Sequence, residues 1–266
     1  MVNIVFDIGG TNMRIAVAQN DVLGEIKKVP TPQDPKEAIA MFAAIARELA
    51  GGEKIEKAAG CIRGVIFEGK YWKDMILSKW EGIRLPHKIE DALQTPVIIK
   101  NDCAVIGLGE NHKGAGKGSK IMAYITVSTG VNGARIDNGE IDNYVYGFEI
   151  GRQLIGDTML EDLVSGTAVR KIYGVEPKDL DSLDERNKLA DTLALGLYNT
   201  VLHWSPGTIV LGGSMIVGKN PIPLERLEKS LAARLAVFPR APHIKMAELG
   251  DNGGLIGGMI LAEQQN

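Results

Sequence analysis

No stretch of this chain reaches the roughly 20 consecutive apolar residues that cross a bilayer, so no membrane-spanning helix is expected. Cysteine is scarce: only Cys61 and Cys103 occur, each in an apolar neighbourhood without a second Cys or a His at metal-ligand spacing. Buried free thiols are expected there, not a disulfide framework. Positive charge is not in surplus either, since 30 Lys and Arg face 33 Asp and Glu for a net charge of −3, and the lysines are scattered. That argues against nucleic acid as a partner. It leaves anionic small molecules open, because backbone N–H groups and helix N-termini bind anions whatever the net charge. No basic segment with a small-residue cleavage site follows Met1; the chain passes through Val2-Asn3 directly into an apolar run, and a cytoplasmic location is expected. Low-complexity segments and long linkers are also missing. What remains is an ordinary globular balance, 45% hydrophobic and 24% charged over 266 residues, long enough for two lobes with their own cores.

The pattern along the chain is mixed α/β. Ile4–Ile8 is β-branched and apolar, Gly9-Gly10-Thr11 interrupts it, and Met13–Val17 resumes a strand pattern, which reads as a hairpin. A connection marked by Pro30, Pro32 and Pro35 leads to a helix over about 36–50 with Ile39, Phe42, Ala43, Ala46 and Leu49 on one face, stopped by Gly51-Gly52. A strand is expected over 58–66, a helix over 85–93, a buried strand over 96–100, and a helix over about 104–111. Ile121–Val127 is again a strand, Ser128–Gly133 a second glycine-bearing loop, and Ala134–Ile136 extended before an Asn138-Gly139 turn. Strand, glycine loop and strand thus occur twice, at 4–17 and at 124–136, which implies an internal duplication and two lobes. Helices over about 158–172 and 187–204, a buried strand over 208–211 ending at Gly212-Gly213, and helices over about 224–235 and 255–263 complete the chain.

Several positions invite chemistry. A carboxylate at a strand end before Gly-Gly-Thr, as in Asp7 through Thr11, either marks a plain hairpin turn or lets bare backbone approach a phosphate while Asp7 positions a hydrated Mg²⁺. The loop holding Thr129, Gly130 and Gly133 could act as a second phosphate loop, and Gly212-Gly213 as a close approach for a flat nucleoside or merely a tight strand-to-helix connection. Asn101-Asp102, between a buried strand and a helix, is either an N-cap pair or a base with a neighbouring hydroxyl-binding amide. Phosphoryl transfer needs mainly positioning and charge neutralisation, so one carboxylate with a metal and backbone donors suffices. Gly114–Lys120 imitates a P-loop but lacks its spacing and precedes a strand; it reads as a solvated surface connection.

These segments in this order resemble the ROK family, a branch of the actin-like sugar kinases that includes glucokinases and fructokinases. Asp7–Thr11 is similar to its first phosphate motif, Thr129–Gly133 to its second, Val210–Ser214 to its adenosine-site strand, and Asn101-Asp102 through Gly109-Glu110 to the segment whose Asp is the catalytic base. Phe148–Gly151 resembles the sugar-binding E-x-G-H motif, and Glu161 the second sugar-contacting Glu. Here the motif's His is Arg152 and the family's cysteine run is missing, so no structural zinc is expected. The segment Met75–Trp80 also lacks the Asn that the family carries before its Trp.

The resemblance implies a duplicated, RNase H-like two-lobe α/β fold. A first lobe is expected over about 1–105 with the terminal helix, about 251–266, and a second over 106–250, with ATP and sugar in the cleft that the family places between its lobes. It further implies ATP with Mg²⁺ bound by Asp7, Gly9, Gly10, Thr11, Thr129, Gly130, Gly133, Gly212 and Gly213. Sugar would meet Asn101, Asp102, Glu149, Arg152 and Glu161, Asp102 would be the general base, and the subunit would be part of a homodimer. Other readings of the resemblance are a catalytically silent sensor of sugar or nucleotide, a transcriptional repressor, and a kinase that takes polyphosphate as donor.

Overall fold

The computed structural model describes residues 1–72 and 76–264. Met75 and the last two residues of the expected terminal helix lie outside them. The chain divides into two units: Met1–Gly109 with Asn143–Gly147 and the residues from Leu249 onward, and Glu110–Asp142 with Phe148–Glu248.

The first unit is built on a five-stranded sheet in the order β3-β2-β1-β4-β5, where β1 is Val2–Ile8, β2 Asn12–Gln19, β3 Val22–Pro30, β4 Ile55–Ile62 and β5 Val97–Asn101. The pairs β1–β2 and β2–β3 are antiparallel, whereas β1–β4 and β4–β5 are parallel. Helix α1 (Pro35–Ala50) starts where the Asp34 side chain accepts from Lys36 N with Pro35 in the first turn, and it ends at left-handed Gly51. Its buried face is Ala38, Phe42, Ala43, Ala46 and Ala50; Ile39 and Leu49, expected on that face, are only partly buried at its margin. Phe42 meets Phe6 of β1 edge-on, ring centroids 5.1 Å apart. Truncating such a side chain to Ala costs about 3–5 kcal/mol. Helix α2 (Leu85–Leu93) adds Leu85, Ile89 and Leu93 to the same core. On the opposite face, Val5 and Ala16 pack against Leu255 and Met259 of α9 (Gly253–Gln264). Close approach there requires glycine: a Cβ on Gly257 would lie 1.8 Å from Val105 O, and one on Gly258 2.8 Å from Ala59 O.

The second unit repeats the plan. Its sheet runs β8-β7-β6-β9-β10, with β6 Ile121–Val127, β7 Val131–Asp137, β8 Glu140–Ile141, β9 Thr208–Gly212 and β10 His243–Met246. Again the first three strands are antiparallel and the last two parallel to the first. The expected duplication and fold class are therefore what the molecule has. The remaining helices are α3 (Asp102–Lys113), α4 (Glu161–Val164), α5 (Gly166–Tyr173), α6 (Leu183–Trp204), α7 (Ser214–Val217) and α8 (Leu224–Arg234). Helix α6 buries Leu189, Leu193, Leu197 and Val201 in this unit's core. Among the described residues no helix is long and apolar enough to cross a membrane.

Several expectations need correction. The Pro-marked connection contains β3, which enters through a turn with Asn20 and Asp21 at φ 51° and 63° and is mostly exposed, so no apolar alternation announces it. β10 is an edge strand of the same kind. The strand expected over 58–66 stops at Ile62, and Ile66–Phe67 pairs instead with Lys70–Tyr71. The helix over 158–172 is broken: Leu154–Ile155 and Thr158–Met159 form a hairpin around left-handed Gly156, and extended Ser165 separates α4 from α5 while accepting from Ala168 N. The P-loop-like segment is not wholly solvated, because Gly114, Ala115 and Gly116 are buried around Glu110. That carboxylate accepts from Ala115 N and Glu248 N, each at 2.9 Å.

Candidate active site

In the first unit three parallel strands end side by side, the position where open α/β sheets present ligand-binding groups. β1 brings Asp7, β4 brings Cys61 opposite it, and β5 brings Asn101 opposite Ile62. Across the antiparallel pair Asp7 faces Arg14, whose Nη1 donates to Asp7 Oδ2 at 3.1 Å while its Nη2 donates to Asp251 Oδ2 at 2.8 Å. Cys61 Sγ lies 3.4 Å from Asp7 Oδ1. Burial pushes the Asp7 carboxyl upward against the lowering effects of Cys61 and Arg14.

Asn101 and Asp102 both cap the start of α3. Asn101 Oδ1 accepts from Cys103 N at 2.9 Å, capping α3, and its Nδ2 donates to Gly64 O at 2.9 Å, which fixes the amide. Asp102 is the first residue of α3, and its Oδ1 also accepts from Cys103 N at 2.9 Å. Its Oδ2 has no hydrogen-bond partner among the described residues, and the residue keeps part of its surface in solvent. Helix-end capping should hold such a carboxyl low. Burial and the charge of Asp7 outweigh the Cys103 N–H and the Arg63 cation, and the pKa rises to about 6.

Arg63 was not among the residues singled out from sequence. It follows β4, donates its backbone N–H to Ile8 O, and its guanidinium lies where a Cβ on Gly10 would come within 3.1 Å. The signal was available: a lone cation directly after a buried parallel strand. The turn Gly9-Gly10-Thr11 is pinned by Gly9 N to Asn12 O at 2.9 Å and by the Thr31 hydroxyl to Gly9 O at 2.8 Å. Its glycines meet near neighbours, since a Cβ on Gly9 would sit 2.9 Å from Asn12 O and one on Gly10 2.8 Å from Ile76 Cγ2.

In the second unit the connection between β6 and β7 is only Ser128-Thr129-Gly130; Gly133, expected in this loop, lies within β7, where a Cβ would come 2.6 Å from Tyr124 O. Ser128 O and Thr129 O accept from Gly166 N and the Thr167 hydroxyl, so the start of α5 holds the loop while Thr129 stays exposed. Glu161, first in α4, lies beside this loop: a Cβ on Gly130 would be 3.1 Å from its Oε2. Glu149 pairs with Arg152, Nε to Oε2 3.7 Å. Its pKa is raised by partial desolvation and by Glu161, against Arg152 and the Asn132 side chain. Gly151 is needed because a Cβ there would lie 2.0 Å from Val131 O. Gly212 and Gly213 make the tight strand-to-helix connection into α7, Gly213 at φ +88° with its missing Cβ 2.4 Å from Val127 O. Glu149, Arg152, Glu161 and Gly130 are thus gathered in one unit, and Asp7, Asn101 and Asp102 in the other.

Known proteins share this fold. The glucokinase of Halalkalibacterium halodurans is 28% identical over 228 residues, 70% of this chain and 69% of that protein. The ROK hexokinase of Thermus thermophilus superposes with a TM-score of 0.88 at 24% identity, covering all of both chains. A ROK-family glucokinase from Streptomyces griseus, solved with glucose and AMPPNP, gives 0.79 at 21% identity over 99% of this chain and all of that one. The sequence profile of the ROK family matches residues 3–265, and on that match, with the duplicated fold beneath it, the chain belongs to the ROK family.

Proposed function

We propose that this protein is an ATP-dependent kinase of a sugar hydroxyl with Asp102 as its general base. The observation that carries the reading is the Asp102 carboxylate: one oxygen tied to the start of α3, the other unpartnered among the described residues, and a pKa near 6. Such a group is mostly ionised at neutral pH and basic enough to accept a proton. In the reaction the sugar hydroxyl gives its proton to Asp102 Oδ2 as its oxygen attacks the γ-phosphorus. The bond from that phosphorus to the bridging oxygen breaks, and ADP leaves. Asn101, already held by Gly64 O and Cys103 N, keeps a fixed amide beside the base. Glu149 and Glu161 are the second unit's candidates for sugar hydroxyls, with Arg152 holding Glu149. The glucokinase relatives support this substrate class.

Phosphates are assigned to the turns Gly9–Thr11 and Thr129–Gly130, with Gly133 behind the second turn, and adenosine to Gly212-Gly213. Arg63 adds a cation beside Gly10. Magnesium, when bound with the nucleotide, neutralises phosphate oxygens. Asp7 is the residue that would hold it, through water. The donor set fits, since Asp7 and Asp102 are oxygen donors in a net negative field. No group of three or more His, Cys, Asp or Glu stands at metal-binding spacing among the described residues, in keeping with an ion held largely by water and phosphate. We assign no structural zinc, because the segment between Glu149 and Glu161 carries no cysteine to ligate it.

The test is ADP release from Mg-ATP across hexoses, N-acetylhexosamines and sugar acids, with polyphosphate as an alternative donor. Sugar-dependent turnover in wild type, lost in Asp102→Asn, is expected. No turnover with any sugar and either donor would favour a silent sensor.

A further inference from the structure

Aromatic side chains in this chain are few, 5% of residues, and Phe6, Phe42, Tyr71, Trp80 and Tyr124 are buried in its cores. A group in the first unit is different. Trp72 is 55% exposed and Tyr146 71% exposed, and both meet Phe67: the Phe67 and Tyr146 rings stack at 5.3 Å and 26°, and Phe67 meets Trp72 edge-on at 6.4 Å. Large exposed aromatics in contact with each other mark a binding surface more often than a scattered Leu does.

The backbone holds this group in place. Ile66–Phe67 and Lys70–Tyr71 form a hairpin around Glu68 and Gly69, both at positive φ, and Trp72 N donates to Val65 O at 2.8 Å. Alternation across the hairpin sends Tyr71, fully buried beside Trp80, to the core and leaves Phe67 and Trp72 on the other face. The platform is therefore anchored by its own underside. It is also joined along the chain to a residue that holds Asn101. Phe67 lies three residues after Gly64, whose carbonyl accepts from Asn101 Nδ2 at 2.9 Å. Tyr146 lies two residues after Tyr144, whose phenol is pushed up by burial and, to a smaller extent, by Cys103, the neighbour of Asp102.

We propose that Phe67, Trp72 and Tyr146 form a stacking platform for a second ring carried by the acceptor, so that the favoured substrate is a glycoside with a ring aglycone over the free hexose. This rests on the kinase reading above. The C–H face of a pyranose, or an aryl ring, is apolar on one side and suits a flat aromatic surface that is already ordered. Binding energy from a non-reacting ring can be expressed in turnover as well as in affinity.

The experiment compares kcat/KM for cellobiose and phenyl β-glucoside with that for glucose, in wild type, Trp72→Ala and Tyr146→Ala. Because both side chains are largely exposed, the variants should fold. The glycoside-to-glucose ratio should exceed one in wild type and fall roughly tenfold in each variant. A ratio unchanged within about twofold, with glucose still phosphorylated, would overturn the platform and leave the kinase standing. Titrating phenyl β-glucoside against Trp fluorescence, in wild type and Trp72→Phe, reads binding without turnover. Quenching lost in Trp72→Phe upholds the platform even if no sugar is phosphorylated; quenching unaltered by the substitution counts against it. Variants that change the sedimentation coefficient and not the ratio would assign the patch to a subunit contact, and the proposal would fall.

Discussion

The two sheets share strand order and strand direction, yet their hairpin tips differ in chemistry. The penultimate residue of β1 is Asp7, and that of β6 is Thr126. The first unit collects its carboxylates at strand ends, where burial and mutual repulsion raise their pKa values. The second draws Glu149 and Glu161 from segments inserted after its hairpins, and its tip is neutral. The same frame occurs twice, and the residues at the strand ends and in the insertions give its copies different chemistry, buried carboxylates in one and a neutral tip in the other.

The sharpest break of this comparison is Asp102→Asn, which should lower turnover by about 10²–10⁴-fold, read as ADP release. A change at the second unit's hairpin tip, Thr129→Ala, should act mainly on the KM for ATP; a loss of kcat equal to that of Asp102→Asn would erase the contrast. Next in size are the glycines that let elements touch. Gly257→Ala in the first unit and Gly151→Ala in the second should each cost about 2–3 kcal/mol by urea unfolding, because the added methyl meets backbone and not a yielding side chain.

A smaller effect runs in the opposite direction. A carboxyl whose pKa is raised on folding binds more protons folded than unfolded, so its contribution to stability falls as pH rises from the ordinary carboxylate range through about 6. Asp102→Asn should thus be more stable than wild type at pH 8, by about 1–3 kcal/mol, and lose that advantage below about pH 4. Urea midpoints at the two pH values decide it. Finest of all is the pH–rate profile, whose acid limb should lie near 6 in the free enzyme. Arg63→Gln should move that limb up, since a cation favouring the ionised base is gone, and Asp7→Asn should move it down. Limbs unmoved by either change would separate the titration from Asp102.

Much of this was legible in the residues. The 4–17 and 124–136 hairpins stood out because buried strands alternate with short glycine turns. Asn101-Asp102 stood out because a capping pair at the end of a buried strand is a narrow category. The edge strands β3 and β10 did not, because with neither face buried they carry no apolar signal. The break between α4 and α5 hid behind helical spacing that Ser165 interrupts only by capping the next helix. Arg63 was passed over because its value depends on a glycine 53 residues earlier in the chain, Gly10.

Local sequence by itself determined the two glycine-turn hairpins at 4–17 and 124–136, the family motifs and the capping position of Asn101-Asp102, because these depend on residues within one or two turns of one another. Tertiary structure alone decided that Asp102 has a pKa near 6, that Gly151 and Gly257 admit no side chain, and that Phe67 meets Trp72 and Tyr146 on an open face. Burial, charge and ring contact depend on distances between residues far apart in the chain, and only the folded sheets set those distances.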